Sequence, residues 1–253
     1  MTPMERIVIT GASRGIGLEL ARQFAARGDV VFATCRNPET AGRLRALSAG
    51  IEDRFHAPAL DVSDEESIRQ AADWIGARVS GIDILINNAG CFAPGEDGIE
   101  NVRIEPMART FAVNAFGPVL VTKRFLPLLR GGIRPRVVNI TSGAGVLWDE
   151  EGQPGRQYSY GASKAALNQL TRSLAFDLKP HGITVVGLGP GFVRTDMTRG
   201  RNAPLTPEQS AQGMIALIER IGLEQAGRFY DWTGRECDWM KRKPSRLPSL
   251  TGR

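Results

Sequence analysis

Histidine and cysteine are scarce in this chain. Its 253 residues include two histidines, His56 and His181, and three cysteines, Cys35, Cys91 and Cys237. The cysteines lie far apart and form no C-x-x-C pair, so the sequence suggests neither a disulfide framework nor a zinc site, and no metal is expected. Long apolar runs are missing too. Nothing approaches the roughly 18 apolar residues of a membrane span, and Met1-Thr2-Pro3-Met4-Glu5-Arg6 leads into a strand without a signal-peptide pattern. These absences predict a soluble, cytoplasmic protein. With no linker, internal repeat or low-complexity segment, the chain fits a single domain over residues 1–239 better than two.

Acidic side chains are absent from two informative places. Residues 240–253 carry Lys241, Arg242, Lys243, Arg246 and Arg253 and no Asp or Glu, so the formal charge of +5 belongs to a basic tail. Such a tail reads first as solvated chain, and nucleic acid is not an expected partner. The second place is the end of Val30-Val31-Phe32-Ala33-Thr34, about twenty residues past a glycine turn, where an NAD-binding chain usually places an acid for the ribose hydroxyls. Here Cys35-Arg36-Asn37 follows, and Arg14 lies in the glycine turn. Two cations that can flank a 2′-phosphate favour NADP(H) over NAD(H).

What is present is a regular alternation of strands and helices. Arg6-Ile7-Val8-Ile9-Thr10 is a β-branched strand that enters Gly11-Ala12-Ser13-Arg14-Gly15-Ile16-Gly17 and then a helix. Glycines let the backbone approach a pyrophosphate, and the helix start offers free N–H groups to it. Further strands are expected near Arg54–Leu60, Asp83–Ile86, Pro135–Ile140, Ile183–Gly187 and Gly227–Trp232. Helices are expected at Glu39–Ala49, Asp64–Val79 with Ser63 as cap, Glu105–Leu129 bent at Pro118, and Thr206–Ile221 capped by Thr206. This pattern implies an α/β fold: a doubly wound, mostly parallel, Rossmann-like sheet of about seven strands with helices on both faces.

Polar residues gather at the carboxyl ends of these strands, where open α/β sheets bind ligands. Asn87-Asn88-Ala89-Gly90 follows the fourth strand, and Ser142 follows the fifth. Asn114 lies in an apolar stretch and needs partners, either as a tie between elements or to hold a water. Tyr160 and Lys164, four apart on a helix, project from one face. A nearby cation lowers a phenol's pKa, so Tyr160 suits proton transfer near neutrality. Leu167, Leu170, Leu174 and Leu178 then mark a buried stripe. Residues 146–157, with Trp148, read as a loop bordering the substrate, and Arg199, Arg201 and Asn202 as part of a lid. Phe92, Gly143, Trp148, Phe192 and Met197 suggest an apolar ketone or aldehyde pocket.

Together these stretches resemble the short-chain dehydrogenase/reductase family over nearly the whole chain. Its motifs stand here as Thr10-Gly11-Ala12-Ser13-Arg14-Gly15-Ile16-Gly17, Asp61, Asn87-Asn88-Ala89-Gly90, Asn114, Ser142, Tyr160-x-x-x-Lys164 and Pro190-Gly191. The runs Ala33-Thr34-Cys35-Arg36-Asn37-Pro38 and Asp231-Trp232-Thr233-Gly234-Arg235-Glu236 are similar to the branch with C-factor and sniffer-type carbonyl reductases. The resemblance implies Tyr160 as general acid or base, Ser142 bonding the substrate oxygen, Lys164 on the nicotinamide ribose lowering the tyrosine's pKa, and Asn114 holding a relay water. It also implies that Gly11, Ser13, Arg14, Gly15, Ile16 and Gly17 meet the pyrophosphate, and Asp61 and Val62 the adenine. Asn87, Ala89, Gly90, Pro190, Gly191, Val193 and Thr195 would line the remaining cofactor. A small carbonyl or alcohol substrate and a homodimer or homotetramer, packed through the Phe111 and Tyr160 helices, complete the expectation. The alternatives are a ketoreductase for a carrier-bound 3-oxoacyl or polyketide group, and a non-catalytic NADPH-sensing regulator.

Overall fold

The computed structural model describes residues 4–93, 95–96, 98–148, 158–198 and 201–241. The β-branched runs form the central strands: β1 (Arg6–Ile9), β2 (Val30–Ala33), β3 (Phe55–His56), β4 (Ile84–Asn87), β5 (Arg136–Ile140), β7 (Thr184–Gly189) and β8 (Phe229–Asp231). Between them come α1 (Gly15–Arg27), α2 (Gly42–Ser48), α3 (Glu65–Gly76), α4 (Ile104–Phe111), α5 (Gly117–Arg130), α6 (Tyr158–Leu178) and α7 (Pro207–Ile218). With β9 (Glu236–Cys237) at its edge, the sheet order is β3-β2-β1-β4-β5-β7-β8-β9, parallel as far as β8. β1 lies between β2 and β4, so the winding reverses there and opens a crevice at the strands' carboxyl ends.

Successive residues of β1 point to opposite faces and seed two cores. Ile7 and Ile9 pack with Leu20 and Phe24 of α1, Leu44 of α2 and Met214 and Ile218 of α7. Val8 packs with Ile68 and Ile75 of α3, Val121 and Phe125 of α5 and Leu178 of α6. Covered on both faces, the sheet can be apolar throughout.

Several boundaries differ from expectation for local reasons. An eighth strand, β9 (Glu236–Cys237), pairs antiparallel with β8. The turn before it is built by Asp231, whose carboxylate accepts from the Thr233 N–H at 2.9 Å, and by Gly234 at φ 85°. β6 (Leu147–Trp148) and β10 (Met240–Lys241) form a separate parallel pair, so the chain expected to be tail from Met240 onward begins as a strand. The basic residues from Arg242 onward lie outside the described residues, as do 149–157 and Arg199.

The long helix expected over Glu105–Leu129 is α4, a π-helical turn at Ala112–Phe116, and α5. Pro118 is the second residue of α5, directly after the π-helical turn. The helix expected from Glu39 opens with a 3-10 turn at Pro38–Thr40, and α2 follows. α3 is capped by Asp64, which accepts from Glu66 N–H at 3.0 Å; Ser63, the expected cap, is bound to Asp61 instead. α7 is capped as expected: Thr206 and Gln209 bond reciprocally at 3.2 and 3.0 Å, and Pro207 starts the helix.

Candidate active site

The glycine turn and the turn after β4 are stitched together. The Thr10 hydroxyl accepts from Asn88 and Ala89 N–H, each at 3.0 Å, and Asn88 Nδ2 donates to the carbonyls of Thr10 and Gly11 at 2.9 and 3.1 Å. This closeness explains the glycines. A Cβ on Gly17 would stand 2.4 Å from Asn88 Nδ2, and one on Gly11 2.7 Å from Ala89 Cα. Gly15 adopts φ 57°. Asn88 was not among the expected site residues; the only sequence signal was a doubled asparagine in a turn.

The turn also fits an anionic group. Arg14, at the N-cap of α1, makes no capping bond, and the first turn contains no acid. Its N–H groups therefore face the crevice without a side-chain acceptor, as phosphate binding requires. Ser13 and Ile16 are half-buried along the same turn, and Ile16 packs onto the core. Exposed Arg14 reaches Asp196 at 3.4 Å.

Arg36, exposed at the end of β2, lies close enough to Asp61 to act on its charge. Burial disfavours the Asp61 carboxylate, but the Ser63 hydroxyl and N–H outweigh it and hold the group below its ordinary pKa. Val62 is in the core. The Asn87 side chain turns inward, donating to Asn139 Oδ1 at 2.8 Å and Thr122 Oγ1 at 3.2 Å, so only its main chain faces the crevice side. Gly90 lies where a Cβ would meet Asn114 Oδ1 at 3.5 Å and Lys164 Nζ at 4.0 Å.

Tyr160 and Lys164 stand on α6, whose face meets β5 through Lys164 and the Ile140 carbonyl. Its buried face includes Leu167 and Leu178 of the leucine stripe, with Leu170 and Leu174 partly buried, and also Ser159, Ser163, Lys164, Asn168 and Thr171. Each polar side chain there has a partner. Asn168 Nδ2 donates to the Gly145 carbonyl at 3.0 Å, and Thr171 Oγ1 accepts from Asn139 Nδ2 at 2.9 Å. A Cβ on Gly145 would stand 2.5 Å from the Lys164 carbonyl carbon, so glycine lets the Ser142 loop sit directly on the helix.

Lys164 Nζ donates to the Ile140 carbonyl at 2.7 Å and lies 5.9 Å from the Tyr160 ring centre. Burial lowers its pKa to about 8. Burial pushes the Tyr160 phenol above its ordinary value; a hydrogen bond with Ser142 and the charge of Arg201 pull it down without overcoming burial. The cation acting on the phenol here is thus Arg201, a residue expected only as part of a lid. The Ser142 hydroxyl also accepts from Ala144 N–H at 3.1 Å.

Asn114, inside the π-helical turn, serves as a tie. Its amide donates to the Cys91 carbonyl at 2.9 Å and Ser163 Oγ at 3.0 Å and accepts from Cys91 N–H at 2.8 Å. Next to it, the Phe92 ring lies 5.7 Å from that of Tyr160. Glu96, unmarked in the sequence, is buried and accepts from both the N–H and the hydroxyl of Ser159 at the start of α6.

After β7, Gly191 at φ 82° passes Leu205 and Trp232 too closely for a side chain, with a Cβ 2.5 Å from Leu205 Cδ1. The Pro190 carbonyl accepts from Ser210 Oγ at 2.7 Å, Val193 is buried, and Thr195 N–H donates to Thr198 Oγ1 at 2.9 Å. Thr195 and Arg201 border a cleft of about 460 Å³ that reaches Arg14 and Gly15. Among the described residues no cluster suits a metal ion, and no helix is long and apolar enough to cross a membrane.

A strand-end serine beside a Tyr-x-x-x-Lys helix, facing a glycine turn, is the arrangement of a known group of oxidoreductases. A profile of short chain dehydrogenases matches residues 5–206. The chain belongs to the short chain dehydrogenase family. C-signal of Myxococcus xanthus is 43% identical over 158 residues, 62% of this chain and 93% of that protein. The NADPH-bound carbonyl reductase from chicken fatty liver shares the fold with a TM-score of 0.85 at 33% identity, covering 93% of this chain and 99% of that one. Carbonyl reductase Sniffer of Drosophila melanogaster gives 0.85 at 31% identity, covering 94% and 100%. The family, the Rossmann-like sheet and the sniffer-type branch expected from sequence are those found.

Proposed function

We propose that the chain is an NADPH-dependent carbonyl reductase in which Tyr160 is the general acid and base. The carrying observation is the convergence of Ser142, Tyr160 and Lys164 beside an α1 N-terminus with neither cap nor acid. The bound nicotinamide supplies the hydride chemistry. The protein supplies position and charge. Arg14 and Arg36 suit the 2′-phosphate, and Gly11, Gly15 and Gly17 open the backbone to the pyrophosphate. The NADPH bound to the chicken enzyme supports the same preference. Ser142 hydrogen-bonds the substrate oxygen, and Tyr160, whose raised pKa keeps it protonated at neutral pH, donates the proton. Lys164 holds its charge beneath them on the Ile140 carbonyl.

The test is loss of NADPH absorbance with a panel of ketones and aldehydes, with NADH as control. Tyr160→Phe should bind NADPH as the wild type does and turn over about 10²–10⁴-fold more slowly. Wild-type turnover in that variant would remove Tyr160 from the acid role. For assembly, we propose a homo-oligomer through the faces carrying Ile104, Phe116 and Phe176, exposed by 72, 54 and 84%. Light scattering should give a mass above one chain.

A further inference from the structure

Beside Tyr160 stands the Arg201 guanidinium, whose charge acts on the phenol. Arg201 Cζ lies 5.3 Å over the Phe92 ring, and Phe92 lies 5.7 Å from the Tyr160 ring. The three side chains form a row that begins at Tyr160 and ends at a cation. A cation–π contact satisfies none of the guanidinium's N–H donors, which remain able to receive a carboxylate. Among the described residues no carboxylate pairs with Arg201, and its side chain makes no hydrogen bond.

The surroundings favour an anion. On its other side Arg201 lines, with Arg14, Arg43 and Arg194 against Glu19, Asp196 and Glu208, the cleft that reaches the glycine turn. Two of those acids are engaged, Asp196 with Arg14 at 3.4 Å and Glu19 with Arg22 at 2.7 Å. A purely apolar substrate, as Phe92, Phe192 and Met197 suggested, leaves Arg201 unused at the mouth. A ring or chain lying against Phe92, with its carbonyl at Ser142 and an acid group at its other end, uses all of them.

We propose that Arg201 is the specificity-determining residue of the substrate site and that the carbonyl substrate carries a carboxylate. This rests on the carbonyl-reductase reading, and two measurements separate them. The first needs no turnover: benzoate and benzamide are titrated against the NADPH-loaded protein, followed by NADPH fluorescence. Benzoate should bind about tenfold more tightly than its neutral analogue, the scale of a charge-assisted contact. Arg201→Met should abolish that ratio while leaving NADPH affinity within twofold, and Arg201→Lys should retain part of it. The second compares kcat/KM for 4-carboxybenzaldehyde and benzaldehyde, where the wild-type preference for the acid should disappear in Arg201→Met.

A benzoate-to-benzamide ratio near one in the wild type, or one unchanged in Arg201→Met, overturns the proposal. A matching loss of NADPH affinity in the variant overturns it too, placing Arg201 on the cofactor's phosphates. If neither aldehyde is reduced, the reductase reading fails, and the binding ratio alone decides the role of Arg201.

Discussion

Lys164 carries a charge into a buried place, where its ammonium donates to the Ile140 carbonyl. Its pKa of about 8 lies below the ordinary 10.5, so the unfolded chain holds a proton that the folded chain has released between those values. Stability from this group therefore rises with pH across that window, and below it the full burial cost applies. At about 1.36 kcal/mol per unit, that cost is on the order of 3 kcal/mol. Lys164→Met, without cofactor, should be about 1–3 kcal/mol more stable at pH 7 by urea unfolding, the burial cost of the charge less what the Ile140 carbonyl loses with its donor. The advantage should shrink as pH rises from 8 toward 10.5. An equal advantage at both ends of the range would show that burial of the charge is not its cause.

At the scale of elements, the segment after β4 clamps the helix that carries Tyr160. Asn114 ties it at Cys91, Phe92 packs on Tyr160, and Glu96 caps Ser159. Glu96→Ala removes a buried acceptor from the first turn of α6. The expected loss is about 1–2 kcal/mol in urea unfolding, with a fall in kcat because Tyr160 is the next residue. Glu96→Gln keeps an acceptor and should recover most of both. The polar face of α6 was hidden in the sequence because leucine spacing is a strong signal, whereas Ser163, Asn168 and Thr171 resemble ordinary surface residues until their partners are known. The three-part helix around Asn114 was hidden too, since a π turn keeps helical periodicity almost intact.

Across the whole molecule, the ends of the strands have different tasks. At the amino ends, ion pairs lock the sheet: Arg6 meets Asp83 at 3.0 Å, and Arg136, 1% exposed, meets Glu5 and donates to the Ile218 carbonyl at 2.9 Å. Glu5→Ala would leave Arg136 buried with no counter-charge from Glu5, and should cost about 3–5 kcal/mol in urea unfolding. A loss near zero would mean that water reaches Arg136 in the variant. At the carboxyl ends, charges stay open to the crevice, as Arg14, Arg36 and Arg201 do.

By itself the sequence determined the sheet and its winding and singled out Ser142, Tyr160 and Lys164, because strand runs, glycine turns and a four-residue helical spacing are local features that survive translation into three dimensions. It also put Arg36 after β2 where an acid is usual, with Arg14 in the glycine turn. Tertiary structure alone decided that Asn88 locks the glycine turn, that Glu96 caps the Tyr160 helix and that Arg201 reaches the phenol through Phe92. Those contacts join residues between 63 and 109 positions apart, from Glu96 to Ser159 up to Phe92 to Arg201, and no local pattern encodes a pairing that exists only after the sheet has brought its carboxyl ends together.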